Sequence, residues 1–163
     1  MGSAVLLAVR DLVRRPLAVE QDYPRGAIAL EDVNLDWAGP LRVRGEARWS
    51  EAGLRLRLRL EGEIAPVCAR CLGPVPMDIS RSLDLLYRPA ETMSPDDDLM
   101  LPSAEAEIGF FRGEGVELDE VVREQILLAL PMRAICSEDC KGLCPQCGVN
   151  LNLETCNCGA GAA

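Results

Sequence analysis

The clearest pattern in the chain is a strict alternation of apolar and charged residues between positions 41 and 61. In Leu54–Leu60, Leu and Arg alternate at every position, which is the two-residue period of a strand with one buried face. Leu41–Trp49 alternates in the same way. Ser50–Gly53 between them has the composition of a four-residue hairpin loop. The two segments are therefore predicted to form an antiparallel hairpin.

Pairing Trp49 with Leu54 fixes the register of this hairpin. The pairs predicted for the buried face are Val43 with Leu60 and Ala47 with Leu56, and those for the outer face are Arg48 with Arg55, Glu46 with Arg57, Arg44 with Arg59, and Arg42 with Glu61. Two outer pairs are Arg opposite Arg, and like charges directly opposite one another cost stability. We therefore expect this face either to be relieved by acidic neighbours, which is the interpretation we favour, or to meet an anion.

Weaker patterns extend the prediction along the chain. Met77–Leu85 alternates again and predicts a further strand. Apolar residues at four-residue spacing predict a helix over residues 119–130, with Asp119 as its N-cap. Residues 89–106 are rich in Pro and Asp, which indicates a mobile acidic linker.

These elements predict an α+β protein that is mostly β. We expect an antiparallel sheet or partial barrel with one packed helix in residues 1–131. Residues 132–163 form a Cys-rich tail with few large apolar residues. Such a segment cannot bury enough surface to fold alone, so a metal must stabilise it.

The chain has eight Cys and no His. The lack of His excludes Ser-His-Asp hydrolases, Cys-His proteases and His-ligated zinc hydrolases. The predicted metal ligands are the eight cysteines Cys68, Cys71, Cys136, Cys140, Cys144, Cys147, Cys156 and Cys158. Eight thiolates suffice for two closed four-sulfur zinc sites, which have a structural and not a catalytic role.

Chain proximity favours one division of these ligands. The preferred division joins Cys68 and Cys71 with Cys136 and Cys140, and leaves the last four cysteines as a site of the tail, in which Gly148 takes a positive φ. The other two interpretations are a site that joins both C-x2-C pairs and a single zinc with free thiols. Thiolates released from zinc could also form disulfides, which would make a redox switch.

Charge is unevenly distributed. The formal net charge is -9, with about +1 in residues 1–81 and -10 in residues 82–163. This balance argues against nonspecific coating of nucleic acid, which depends on cationic neutralisation of phosphates. The N-terminal apolar run is too short for a signal peptide, and no stretch reaches membrane-spanning length. We therefore expect a cytoplasmic protein without membrane contact, whose thiols bind metal in preference to forming disulfides.

Three blocks of the sequence resemble the YceD family of large ribosomal RNA subunit accumulation proteins. They are Gly62–Leu72, Arg123–Pro131 and Cys136–Asn152, in the order in which the family has them. The last block, with Cys-Lys-Gly-Leu-Cys-Pro-Gln-Cys-Gly-Val-Asn-Leu-Asn, is highly specific. The resemblance implies a non-enzymatic role in accumulation or processing of 23S ribosomal RNA.

The expected partners follow from this resemblance and from the charges. They are ribosomal RNA, a basic ribosomal protein, or both, with no small-molecule substrate. The acidic linker and tail are expected to face a basic partner. The arginine face is expected to meet RNA phosphates, and its residues are Arg42, Arg44, Arg48, Arg55, Arg57 and Arg59. The alternative functions are a redox-regulated zinc chaperone and a zinc-stabilised protein-interaction module.

Overall fold

The structure, a computed structural model, describes residues 5–28, 30, 35–92 and 107–158. Its strands and helices are β1 (Leu6–Ala8), α1 (Val9–Leu12), β2 (Leu17–Tyr23), β3 (Leu35–Ser50), β4 (Gly53–Pro66), β5 (Met77–Pro89), a 3₁₀ turn (Ala90–Thr92), β6 (Glu107–Phe111), β7 (Gly115–Glu117) and α2 (Leu118–Ala129). Most of the predicted acidic linker, residues 93–106, lies outside the described residues. None of the described helices has the length and apolar character that a membrane crossing requires.

The main layer is an open sheet of five strands in the order β2-β3-β4-β5-β6. Neighbouring strands are antiparallel except β5 and β6, which run parallel. Strands β1 and β7 form a separate two-stranded ribbon. The prediction of a mostly β, α+β protein is confirmed, and the sheet is open rather than closed into a barrel.

The predicted hairpin is formed by β3 and β4 with the predicted register. Trp49 lies opposite Leu54, and every other pair predicted for the two faces is present. The register is well determined because a slip by one residue would move the whole row of leucines to the solvent face. The inner face is fully buried at Val43, Leu56 and Leu60, whereas the arginines lie on the outer face.

Helix α2 packs against the inner face of the sheet. Its buried residues Val122 and Ile126 belong to the same apolar cluster as the leucines of β4. The helix begins at Leu118, and the prediction of Asp119 as N-cap is wrong. Glu117 holds the N-cap position without a side-chain cap bond. Asp119 instead accepts a hydrogen bond of 2.8 Å from the buried Tyr23 hydroxyl, which ties α2 to strand β2.

Replacement of Gly45 by Ala is expected to destabilise the sheet by about 3 kcal/mol. Gly45 has a φ of +156°, and an added Cβ would meet the carbonyl oxygen of Arg57 and lie 2.9 Å from the Cα of Leu58. Urea denaturation measures the loss. Gly113→Ala is the matched control, because Gly113 also has a positive φ but its Cβ would meet nothing within 4 Å; about 1 kcal/mol is expected there. Equal losses would contradict a steric cause.

Candidate metal centres

Two groups of four cysteines lie close together in space. The first, which we call the knuckle cluster, is formed by Cys68, Cys71, Cys136 and Cys140, and the second, the tail cluster, by Cys144, Cys147, Cys156 and Cys158; within each group all sulfur atoms lie within 4.8 Å of one another. These are the two sets of the preferred division. The arrangement that joins both C-x2-C pairs in one site does not occur in the described residues.

The knuckle cluster joins two distant parts of the chain. Cys68 and Cys71 follow β4, whereas Cys136 and Cys140 follow α2. The sulfur atoms are 4.0 Å apart for Cys68 and Cys140, and 3.7 Å apart for Cys71 and Cys136. A tetrahedral ion with metal–sulfur bonds of about 2.3 Å holds its sulfurs about 3.8 Å apart. The cluster therefore has the dimensions of a single four-sulfur site.

A tight turn brings the first two cysteines of this cluster together. The Cys68 amide donates to the carbonyl of Gly73 at 2.8 Å, and the Leu72 amide donates to the carbonyl of Cys68 at 3.0 Å. Leu72 closes the turn with a left-handed φ of 57°. The Ala69 amide donates to the carbonyl of Ala134, so a backbone hydrogen bond joins the segment after α2 to this turn.

Backbone amides around Cys68 favour its thiolate form. The N–H of Cys71 makes the largest contribution, and the N–H groups of Arg70 and Cys136, each 3.4 Å from the sulfur, add to it. They lower the pKa of Cys68 to about 6 despite its burial. Conversely, hydrogen bonding to Cys140 is the main cause that raises the pKa of Cys136 to about 12. A cation bound at this cluster would compete with protons for the sulfur atoms.

The tail cluster repeats this arrangement in a shorter segment. The Gly148 amide donates to the carbonyl of Cys144 at 2.8 Å, and Gly148 has the predicted positive φ, 74°. Amides of the same turn, chiefly that of Cys147, lower the pKa of Cys144 to about 6. A hydrogen bond to Cys147 is the largest cause that raises the pKa of Cys158 to about 12.

The two clusters differ in how many of their cysteines are buried. In the knuckle cluster Cys68 is fully buried and Cys71 and Cys140 are 7% exposed, whereas Cys136 is exposed. In the tail cluster Cys144 is buried, but Cys147 is exposed and the other two sulfurs belong to half-buried residues. Oxidants and chelators in solution therefore have easier access to the tail cluster.

Polar contacts connect the two clusters. The Asn152 side chain, from the segment of the tail cluster, donates a hydrogen bond of 3.3 Å to the sulfur of Cys140 and accepts one from the Lys141 amide. The hydrogen bond from Asn152 to the Cys140 sulfur is the largest cause that lowers the pKa of Cys140. Arg70 donates to the carbonyls of Glu138 and Cys140. Groups of this kind orient metal ligands and tune their basicity.

The arginine face lies on the solvent side of the sheet, and carboxylates are interleaved with its guanidinium groups. Arg55 makes two hydrogen bonds of 2.7 Å to Asp84 on β5, which is also 3.6 Å from Arg57. Arg44 pairs with Asp22 on β2 at 2.7 Å. The remaining pairs join Arg48 with Glu46 and Arg59 with Glu61. The favoured interpretation, relief by acidic neighbours, agrees with these contacts.

Comparison with known proteins assigns the chain to a family. Residues 56–162 match the family described as "Large ribosomal RNA subunit accumulation protein YceD". The chain belongs to the YceD family. The matched region includes most of β4, helix α2 and both cysteine clusters, so it confirms the resemblance carried by the three sequence blocks.

Relatives extend this similarity beyond the matched region. An uncharacterised protein of Mycobacterium tuberculosis is 28% identical over 158 residues, which are 94% of this chain and 74% of that protein. A maize protein named "Large ribosomal RNA subunit accumulation protein YCED homolog 1, chloroplastic" is 30% identical over 139 residues, 64% of this chain and 45% of its own length. No solved structure matches the chain significantly.

Sequence reasoning missed the residues that support the cysteines of this YceD protein. Arg70 and Asn152 act through a few hydrogen bonds to carbonyl groups, to sulfur or from a backbone amide, and no periodicity marks such residues. Their position was the available signal, since Arg70 lies inside a C-x2-C turn and Asn152 lies four residues before Cys156. Asp84 was missed as a partner of the arginines because it is brought to them by β5.

Proposed function

We propose that this protein is a non-enzymatic ribosome-biogenesis factor that supports accumulation or processing of 23S ribosomal RNA. Its membership of the YceD family carries this proposal, and the name of the maize relative supports it. The proposed partners are ribosomal RNA, a basic ribosomal protein, or both, in the cytoplasm. A small-molecule substrate and a membrane have no part in this function.

The two clusters are proposed to bind structural zinc, one ion each. The donors are thiolates alone, which are soft ligands that zinc accepts in tetrahedral sites. Four protein ligands leave no open position for a water molecule or substrate. A bound ion would offset part of the negative charge of the thiolates in the knuckle cluster and hold residues 132–163 as a tail on the β-rich domain, residues 1–131.

The arginine face is the proposed RNA contact. In the free protein five of its six guanidinium groups, all except that of Arg42, are paired with carboxylates of the described residues, so RNA phosphates would have to displace these partners. The arginine side chains retain between 42% and 62% of their exposure in these pairs. Exposed ion pairs of this kind contribute little stability, so the exchange of a carboxylate for a phosphate costs little.

Replacement of Arg55, Arg57 and Arg59 by Ala is expected to weaken binding to 23S ribosomal RNA and to reduce the slope of log K against log salt by about 2–3, because three phosphate contacts are lost. Asp84→Asn is expected to strengthen binding to the RNA and to increase this slope, because it releases Arg55 and Arg57 from their carboxylate partner. Filter binding over a salt series measures both variants with transcribed 23S ribosomal RNA.

Controls with the same change in net charge separate a local contact from a general field. Ala at the exposed residues Arg14, Arg15 and Arg123 removes the same charge away from the face. Asp139→Asn in the tail matches Asp84→Asn. The arginine face is not the RNA contact if the control triple variant loses as much RNA affinity as the Arg55, Arg57 and Arg59 variant. The same conclusion follows if the Arg55, Arg57 and Arg59 variant loses no affinity.

A further inference from the structure

A groove of about 600 Å³ lies between the β6–β7 connection and helix α2. Its apolar side is formed by Leu6, Tyr87, Phe110 and Val116. Phe110 is 40% exposed and Leu6 is 44% exposed, so apolar side chains of the groove are open to solvent. A recess that combines open apolar side chains with charged ones is typical of a docking surface.

The rim of this groove is strongly acidic. Glu114, Glu117, Glu120 and Glu124 line it, against Arg112 as the cation among the described lining residues. Glu114 has a weak contact of 4.0 Å with Arg10 on the neighbouring ribbon. For the other three glutamates, no Lys or Arg nitrogen of the described chain comes within 4.0 Å. The groove therefore presents uncompensated negative charge around an apolar floor.

The groove differs in this respect from the arginine face. On that face five arginines are paired with carboxylates, whereas here Glu114 alone among the four glutamates lies within 4.0 Å of a Lys or Arg nitrogen of the described residues. The negative charge acts on Tyr87 in the groove. Its pKa is raised to about 12, first by burial and then by the charges of Glu124, Glu107 and Glu120. A ligand that supplies cations would relieve this repulsion, and apolar side chains of the same ligand would cover the aromatic floor.

We propose that this groove binds a basic peptide segment of a partner protein, one that combines Arg or Lys with apolar residues. Charge complementarity selects this occupant. Segment 93–106 of the chain itself carries four acidic residues and no basic residue, so by charge it is a poor occupant. The choice of a ribosomal protein as source of the segment rests on the proposed function, but the preference for a basic peptide does not.

Fluorescence anisotropy with a labelled heptapeptide of alternating Arg and Leu tests this site on the full chain. The wild type is expected to bind this peptide more tightly than one with Ser for Leu, and not to bind one with Glu for Arg. Glu120→Gln with Glu124→Gln is expected to weaken binding about tenfold. Phe110→Ala, which changes an exposed side chain and no charge, is expected to weaken it as well.

The control variant is Glu20→Gln with Glu51→Gln, which removes the same charge from exposed residues that do not line the groove. Its binding is expected to equal that of the wild type. An equal loss in both double variants, or no binding by the wild type, would overturn the proposal. The proposal would also be overturned if sedimentation revealed self-association through the groove, because a second copy of the chain would then be the occupant. The Arg55, Arg57 and Arg59 variant should keep peptide affinity, which separates failure of this site from failure of the RNA proposal.

Discussion

Removal of the two proposed zinc ions is expected to unfold residues 132–158 while the five-stranded sheet stays folded. The main apolar cluster contains Leu130 at its edge and no residue beyond it among those described. In the described part of the tail, the buried side chains are those of Ala134, Cys140 and Cys144. Structural zinc binds such segments with about 10–16 kcal/mol. Burial of three small side chains cannot replace a contribution of that size.

Hydrogen exchange with mass spectrometry measures this effect segment by segment. After chelation, amides of residues 132–158 are expected to lose their protection, whereas those of β3 and β4 keep it. Protection should return when zinc is added back. Far-UV circular dichroism is the control, because the sheet signal should change little. Loss of protection throughout the chain would contradict this prediction, and so would an unchanged tail.

The order of removal is expected to follow exposure. Three cysteines of the knuckle cluster are buried, against one of the tail cluster, so a chelator should take the proposed ion of the tail cluster first. In stoichiometric terms, one zinc per chain should be released in a faster phase and the second in a slower phase. The pKa of Cys68 is already lowered by backbone amides, so this sulfur does not depend on the ion alone to remain a thiolate.

The hairpin shows how far the sequence determines the fold. Leu54–Leu60 alternates without interruption, and only one phase of this alternation can face the core. The register of β3 and β4 could therefore be predicted pair by pair. The position of β6 could not, because it pairs with β5 in parallel across a long connection whose composition says nothing about the neighbour.

The site shows the same limit at the level of side chains. The spacing of the cysteines and their even number favoured two sets of four. However, Asp119 has the residue type and the position that are typical of an N-cap. Its side chain instead accepts a hydrogen bond from Tyr23, which is 96 residues away in the sequence. Leu72 takes a left-handed φ beside a Gly that could do so without strain. Contacts between distant segments decide both cases, and local preference does not.

Substitution of single ligands is expected to have unequal effects on the tail. Cys71→Ser should remove the ion of the knuckle cluster and release the tail from the sheet, because this cluster joins the turn after β4 to the segment after α2. Cys147→Ser should remove only the ion of the tail cluster and leave residues 134–140 attached. Each loss should exceed the roughly 10–100-fold that outer-shell substitutions cost in metal affinity.

The double variant decides how the ligands are divided. If Cys71 and Cys147 belong to different sites, each single variant holds one zinc per chain and the double variant holds none. If the two C-x2-C pairs shared one site, both substitutions would damage the same site, and the double variant would still hold one zinc. Metal analysis of the three purified variants measures this number directly. Thermal unfolding of the sheet is the control, since Leu56, Leu60 and Ile126 keep their packing in all three. One zinc in the double variant would contradict the assignment to two clusters.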